Sequence, residues 1–200
     1  MTAQASASTR KARRLQTRER ILGAAIAEFK RSGMTGADVN SIAAAAGVAH
    51  GTFFFHFPSK EHVLLELERR EEARIATEFA GFLQQPHDPA TTLTELVNLV
   101  TGLEQRFGPT LFKELLALHF SPTRPHKDEW IDHPVIVLLV RELERARGVG
   151  EIHPEVDAFY SATFFLLGVY GVLTTTGNPD TRDTMLAKLV STAVHGLEVR

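Results

Sequence analysis

Apolar residues recur at three- and four-residue spacing along almost the whole chain, and no stretch alternates in the way a half-buried strand would. This pattern, cut at intervals by glycine and proline, restricts the 200-residue chain to an all-α fold. The length suits one domain, or a small domain joined to a larger one. With 44% apolar and 23% charged residues the chain lies near globular averages. It has no cysteine, which excludes disulfide staples, thiolate metal sites and a cysteine nucleophile. The first residues, MTAQASASTRKARR, lack an apolar core of signal-peptide type, so the expected location is the cytoplasm.

The net charge of −2 conceals an uneven distribution. Residues 1–60 carry nine Lys/Arg against three Asp/Glu, a balance of +6; residues 61–200 carry 13 against 21, a balance of −8. A basic N-terminal part on an acidic remainder suggests a polyanion partner at one end, although a solvated tail has the same composition.

The first 16 residues are polar, small and basic and read as a flexible arm. Thr17 is a candidate cap for a helix to about Arg31, with Ile21, Ala25 and Phe29 on one face and Gly33 and Gly36 beyond its end. Asp38 is placed to cap a short helix over Val39–Ala46, Gly47 to form a turn, and a third helix to span about 49–55. Pro58 breaks the chain and Ser59 can cap a long helix from Lys60 to about Leu83. Further helices are expected at about 90–106, 109–120, 133–147, 155–175 and 180–198. The uncharged segment 158–176 approaches the length of a membrane span, but it ends in threonines and has no Lys or Arg anchors beside it. A helix buried in a core or between subunits is the expectation, not a membrane.

Two short helices around Gly47 form a helix-turn-helix candidate, in which the second helix would offer its first residues to the major groove. The stretch from Thr17 to Leu65 resembles the DNA-binding segment of the TetR family of bacterial transcriptional regulators. The matching residues are Ala25, Phe29, Gly33, Ile42-Ala43, Ala46-Gly47-Val48, Gly51-Thr52, His56-Phe57 and Ser59-Lys60-Glu61. The segment from Gly148 to Asp157 also resembles the lead-in to the family's dimer-forming penultimate helix.

The resemblance implies an N-terminal three-helix DNA-binding domain at 17–60, behind the arm at 1–16, and a helical ligand-binding and dimerisation domain at 61–200. It places Asn40 toward a base or phosphate and starts the recognition helix at Ala49, His50 and Gly51. Thr52 and His56 would donate to phosphates, and Lys60 would lay its ammonium on the DNA backbone. Arg10, Lys11, Arg13 and Arg14 of the arm would add phosphate or minor-groove contacts. Where the family usually has tyrosine this chain has Phe54, so a phosphate-binding hydroxyl is missing. Phe54 and Phe55 could touch a thymine methyl; alternatively Phe53 and Phe57 pack inward and Phe54 leans on sugar.

In the larger part, Phe79, Phe82, Phe107, Phe112, His119, Phe120, Trp130, Phe164 and Tyr170 are candidates to line a pocket for a small apolar or aromatic effector. Core packing is the competing explanation for most of them. Phe165, Gly168, Gly171, Val172, Met185, Leu186, Leu189, Val190 and Val194 lie on the helices expected to pair across a two-fold axis. No cofactor is expected. His126, Asp128, Asp132 and His133 cluster without a recognised ligand spacing, so no metal is expected. No phosphate loop, nucleophile elbow or HExxH is present, so an enzyme is not expected. The expected function is a homodimeric repressor released from a near-palindromic operator by its effector. The competing readings are an activator or co-repressor-dependent regulator of the same fold, and a carrier or enzyme with a vestigial DNA-binding head.

Overall fold

The computed structural model describes residues 2–122, 124–125 and 133–198. Eight helices and no strand occur among the described residues: α1 (Thr2–Gly36), α2 (Val39–Ala45), α3 (His50–His56), α4 (Lys60–Phe82), α5 (Pro89–His119), α6 (Pro134–Gly148), α7 (Ala158–Thr175) and α8 (Pro179–Leu197). They form two units. One contains residues 1–68 and 107–125, and the other 69–106 and 126–200.

The first unit differs from expectation at its start. Thr17 does not cap a helix, because α1 already begins at Thr2 and runs through the segment read as a flexible arm. The cause is compositional: residues 2–16 hold alanine, arginine, lysine, leucine and glutamine and no Gly or Pro, so nothing interrupts the helix. Ile21, Ala25 and Phe29 are fully buried, as their spacing predicts. Helical geometry in α1 is interrupted at Gly33, where φ is +70°.

The turn between α2 and α3 is built by local chemistry. The Asp38 carboxylate accepts the Asn40 and Ser41 N–H groups at 3.1 Å each and caps α2. At the other end Gly47 takes φ +63°, its N–H donates to the Ala44 carbonyl, and the Val48 N–H donates to the Ala43 carbonyl, both at 3.0 Å. This pair of bonds is a Schellman motif, and the left-handed backbone it needs is cheap only for glycine. Buried Ile42, Ala43 and Ala46 let α2 pack on α1 and α3. Gly108, at φ +78°, divides α5 into the two helices expected from sequence, and Pro109 opens the second.

In the second unit Asp157 caps α7 by accepting the Tyr160 N–H at 2.9 Å, and Asn178 caps α8 by accepting the Thr181 N–H at 3.0 Å. Pro134 and Pro179 occupy the first turns of α6 and α8. α7 is long and apolar enough to cross a membrane. It nonetheless buries Ala162, Phe165, Leu166, Val169 and Leu173 in the core while packing on α6 and α8. Its other side leaves Tyr160, Phe164 and Leu167 exposed.

Candidate nucleic-acid interface

α3 presents a mixed polar and aromatic surface. Its N-cap Ala49 and first residues His50 and Gly51 are exposed, and Thr52 is half-buried. Phe53 and Phe57 are buried and anchor the helix, which settles their orientation inward. Phe54 stays partly exposed, wedged edge-on between His50 and Phe53 with ring centres 5.1 and 5.2 Å away. Phe55 is 69% exposed, an unusual position for a large apolar ring.

Two guanidinium groups of α1 lie over rings at the C-terminal end of α3. Arg14 stands 5.4 Å from the Phe55 ring centre and Arg18 stands 4.2 Å from that of Phe57. Arg18 also pairs with Glu66 at 3.0 Å. Burial, and then the charges of Arg14 and Arg18, hold the His56 imidazole below its ordinary pKa. Arg10, Lys11, Arg13 and Arg14 are exposed along α1, so the basic residues follow a helix and not a loose arm. The four-residue spacing of Arg14 and Arg18 was a readable signal for this face, and Arg18 was not among the expected contacts. Asn40 is exposed near the start of α2, its amide tied to the Asp38 carboxylate at 3.3 Å.

Lys60 is placed differently from expectation. Its ammonium donates to the carbonyls of Met34, Thr35 and Ala37 at 2.6, 3.2 and 3.0 Å. Carbonyls at a helix end lack partners within the helix, and a cation there is favoured by the helix dipole. All three ammonium donors are thereby used inside the protein, leaving none for a phosphate in this arrangement.

The described members of the expected pocket set fall in both units. Phe107 and Phe112 are buried in the first unit, with the Lys30 ammonium 5.2 Å from the Phe107 ring centre. His119 meets Glu68 at 2.5 Å and packs edge-on against exposed Phe120. In the second unit Phe79 and Phe82 stack on each other, Tyr170 is half-buried and Phe164 is exposed. Trp130, His126, Asp128 and Asp132 lie outside the described residues. His133 meets Glu72 at 3.1 Å. Grooves among the described residues of the second unit include two beside α5 and α8. One, of about 430 Å³, lies between α5 and α8 and is lined by Thr94, Asn98, Thr101 and Arg182. The other, of about 250 Å³, is apolar and lined by Leu93, Leu143, Phe164 and Leu189.

The residues expected to pair two copies also divide. Phe165 and Leu186 are buried in the protomer's own core. Gly168 serves contact within the protomer, because a Cβ there would stand 3.0 Å from Leu189 Cδ1. Val172, Val190 and Val194 are half-buried, while Gly171 and Met185 are exposed. α7 is apolar on every side, so periodicity does not distinguish its inner face from its outer one.

Residues 21–67 match the family model described as bacterial regulatory proteins, tetR family. The chain is 28% identical over 123 residues to the HTH-type transcriptional regulator AcrR of Shigella flexneri, covering 61% of this chain and 54% of that protein. It is 26% identical over 159 residues to the HTH-type transcriptional regulator UidR of Escherichia coli, covering 78% and 80%. The crystal structure of Thermus thermophilus FadR, a TetR-family transcriptional repressor in complex with lauroyl-CoA, superposes with a TM-score of 0.74 at 24% identity, covering 92% and 96%. The match to AcrR spans only about half of that regulator's length. With the helix-turn-helix geometry, the match over residues 21–67 shows a DNA-binding segment of tetR type, in a chain similar to transcriptional regulators and with the fold of the FadR structure.

Proposed function

We propose that the chain acts as a homodimeric repressor, not an enzyme, in the bacterial cytoplasm. It binds near-palindromic operator DNA through α3 and is released by a small apolar or aromatic molecule. The observation that carries this reading is the exposed surface of Ala49, His50, Gly51, Phe54 and Phe55 beside the Arg14 guanidinium. Base edges would be met by Asn40, His50 and the two phenylalanines. Thr52, His56, Arg10, Lys11, Arg13 and Arg14 would set register on phosphates.

A second copy would cover Tyr160, Phe164, Leu167, Gly171 and Met185, the exposed row on α7 and α8. Two recognition helices would then read two half-sites, about one helical turn of DNA apart. α4 is one continuous helix whose first turns belong to the first unit and whose remainder belongs to the second. An effector held in the second unit can act on DNA binding through it. The FadR structure holds lauroyl-CoA, whose acyl chain is apolar while its CoA part is anionic. A hundredfold loss of operator affinity needs about 2.7 kcal/mol of coupling, within the usual range.

The test is to sequence genomic fragments retained by the purified protein and then titrate candidate effectors against the recovered site. A recurring near-palindrome, released by an apolar compound that also stabilises the free protein, is expected. Compounds that stabilise the protein yet leave operator affinity unchanged would refute release by effector.

A further inference from the structure

Met34 lies in the last turn of α1, just past the Gly33 break and before the junction to α2, and its peptide groups are held from two sides. Its N–H donates to Glu114 Oε2 at 2.7 Å. Its carbonyl accepts from Lys60 at 2.6 Å, and Lys60 goes on to the Thr35 and Ala37 carbonyls. Glu114 belongs to the half of α5 beyond the Gly108 break, within the same unit as the helix-turn-helix. The carboxylate also packs against residue 33, where a Cβ would stand 2.9 Å from Glu114 Oε1 and oblige it to shift. Gly33 also takes φ +70°, which kinks α1 before its last turn.

We propose that Lys60 and Glu114 are positioning residues for DNA recognition: together they clamp the Met34 junction and so set how α2 and α3 are held against α1. Lys60 acts through the backbone and not by touching phosphate. The chemistry favours this. The junction has N–H and C=O groups that leave helical pairing, and an ion of the matching sign meets each of them. α2 begins four residues after the Lys60-bound Thr35 carbonyl, so a shift there is passed to the recognition helix by a short segment. The Asp38 cap at the far end of that segment fixes the first turn of α2, leaving the Met34–Ala37 backbone as the adjustable part. Loss of either clamp residue would blur the angle of α3 in the groove. It would reduce the preference for operator over other DNA without removing a counterion-releasing contact.

The proposal rests on the DNA-binding reading for its functional half, and its structural half is tested without DNA. Amide hydrogen exchange at Met34 is measured in the full-length protein and in Glu114→Ala, Glu114→Gln and Lys60→Met. Slow exchange is expected in the wild type, faster exchange in Glu114→Ala, and retention in Glu114→Gln, which keeps an oxygen acceptor. Exchange along α7 serves as the check that each variant is folded. Operator affinity is then measured against salt. Lys60→Met and Glu114→Ala should each weaken operator binding about tenfold, the order of one lost hydrogen bond to a charged group. The slope against log salt and the affinity for random DNA should stay unchanged, and the double variant should lose less than the product of the two. A wild-type Met34 amide that exchanges at the unprotected rate overturns the clamp. A slope lowered by about one in Lys60→Met, with Met34 exchange unchanged, assigns Lys60 to a phosphate and overturns it as well. Wild type with no preference for any DNA would refute the DNA-binding reading, while Met34 exchange would still decide the clamp.

Discussion

The Arg14 guanidinium lies over the Phe55 ring, 5.4 Å from its centre, and links the N-terminal half of α1 to the most exposed phenylalanine of α3. Stacking holds a long, flexible cation beside the surface proposed to meet DNA. Arg14→Ala should weaken binding to all sequences and lower the salt slope by about one. Phe55→Ala should weaken operator binding and release Arg14 from its position. The two changes should therefore couple by about 0.5–1 kcal/mol in a double-mutant cycle. Fluorescence anisotropy titrations at several salt concentrations measure both quantities. Strictly additive losses would show that Arg14 acts independently of Phe55.

Gly168 and Phe164 separate packing within the protomer from packing between copies. Gly168→Leu drives a side chain into Leu189 and should lower protomer stability by about 1–3 kcal/mol, as overpacking does. Phe164 is 66% exposed, so Phe164→Asp should leave the protomer folded but weaken the dimer. Sedimentation at micromolar concentration, with circular dichroism as a check on folding, distinguishes them. A Phe164→Asp protein that sediments as the wild type does would place the interface elsewhere.

His87 and Glu142 form a partly hidden ion pair at 2.9 Å in the second unit, with Arg145 also on the carboxylate. A hydrogen bond to the Gln85 carbonyl, opposed by burial and assisted by Glu142, raises the His87 pKa above its ordinary 6.5. Burial pushes Glu142 up, but Arg145 and His87 outweigh it and hold the carboxyl low. A raised histidine binds its proton more tightly in the folded state than in the unfolded one. Its contribution to stability is therefore complete below pH 6.5 and is lost as pH rises through the folded value. Wild type should exceed His87→Gln in denaturant stability at pH 6 by more than at pH 8. An equal difference at both pH values would show that His87 protonation does not contribute.

The parts of the fold set by neighbouring residues were legible in the sequence. Asp38 before a short apolar run and Gly47 after it reported both ends of α2, because capping and left-handed turns are chemistry of a few adjacent residues. Gly108-Pro109 marked the break in α5 for the same reason. The start of α1 was not legible, since an alanine-rich basic run suits a free arm and a helix equally until packing is known. The carbonyl partners of Lys60 were not legible because they lie 23 to 26 residues earlier in the chain. Arg14 and Phe55 were each candidates alone, but their contact joins residues that no local pattern relates. The inner face of α7 depends on which neighbours cover it, so sequence alone did not show that Phe165 is buried and Phe164 exposed.

The central claim is that α3 reads a particular DNA sequence, and the most direct test is the ratio of affinities for the recovered site and for random duplex at physiological salt. Sequence reading by α3 predicts that the site is bound at least about 10³-fold more tightly, the usual margin of a specific regulator. It also predicts that His50→Ala narrows the margin while leaving random-duplex affinity unchanged. Equal affinity of the wild type for the two duplexes would contradict it.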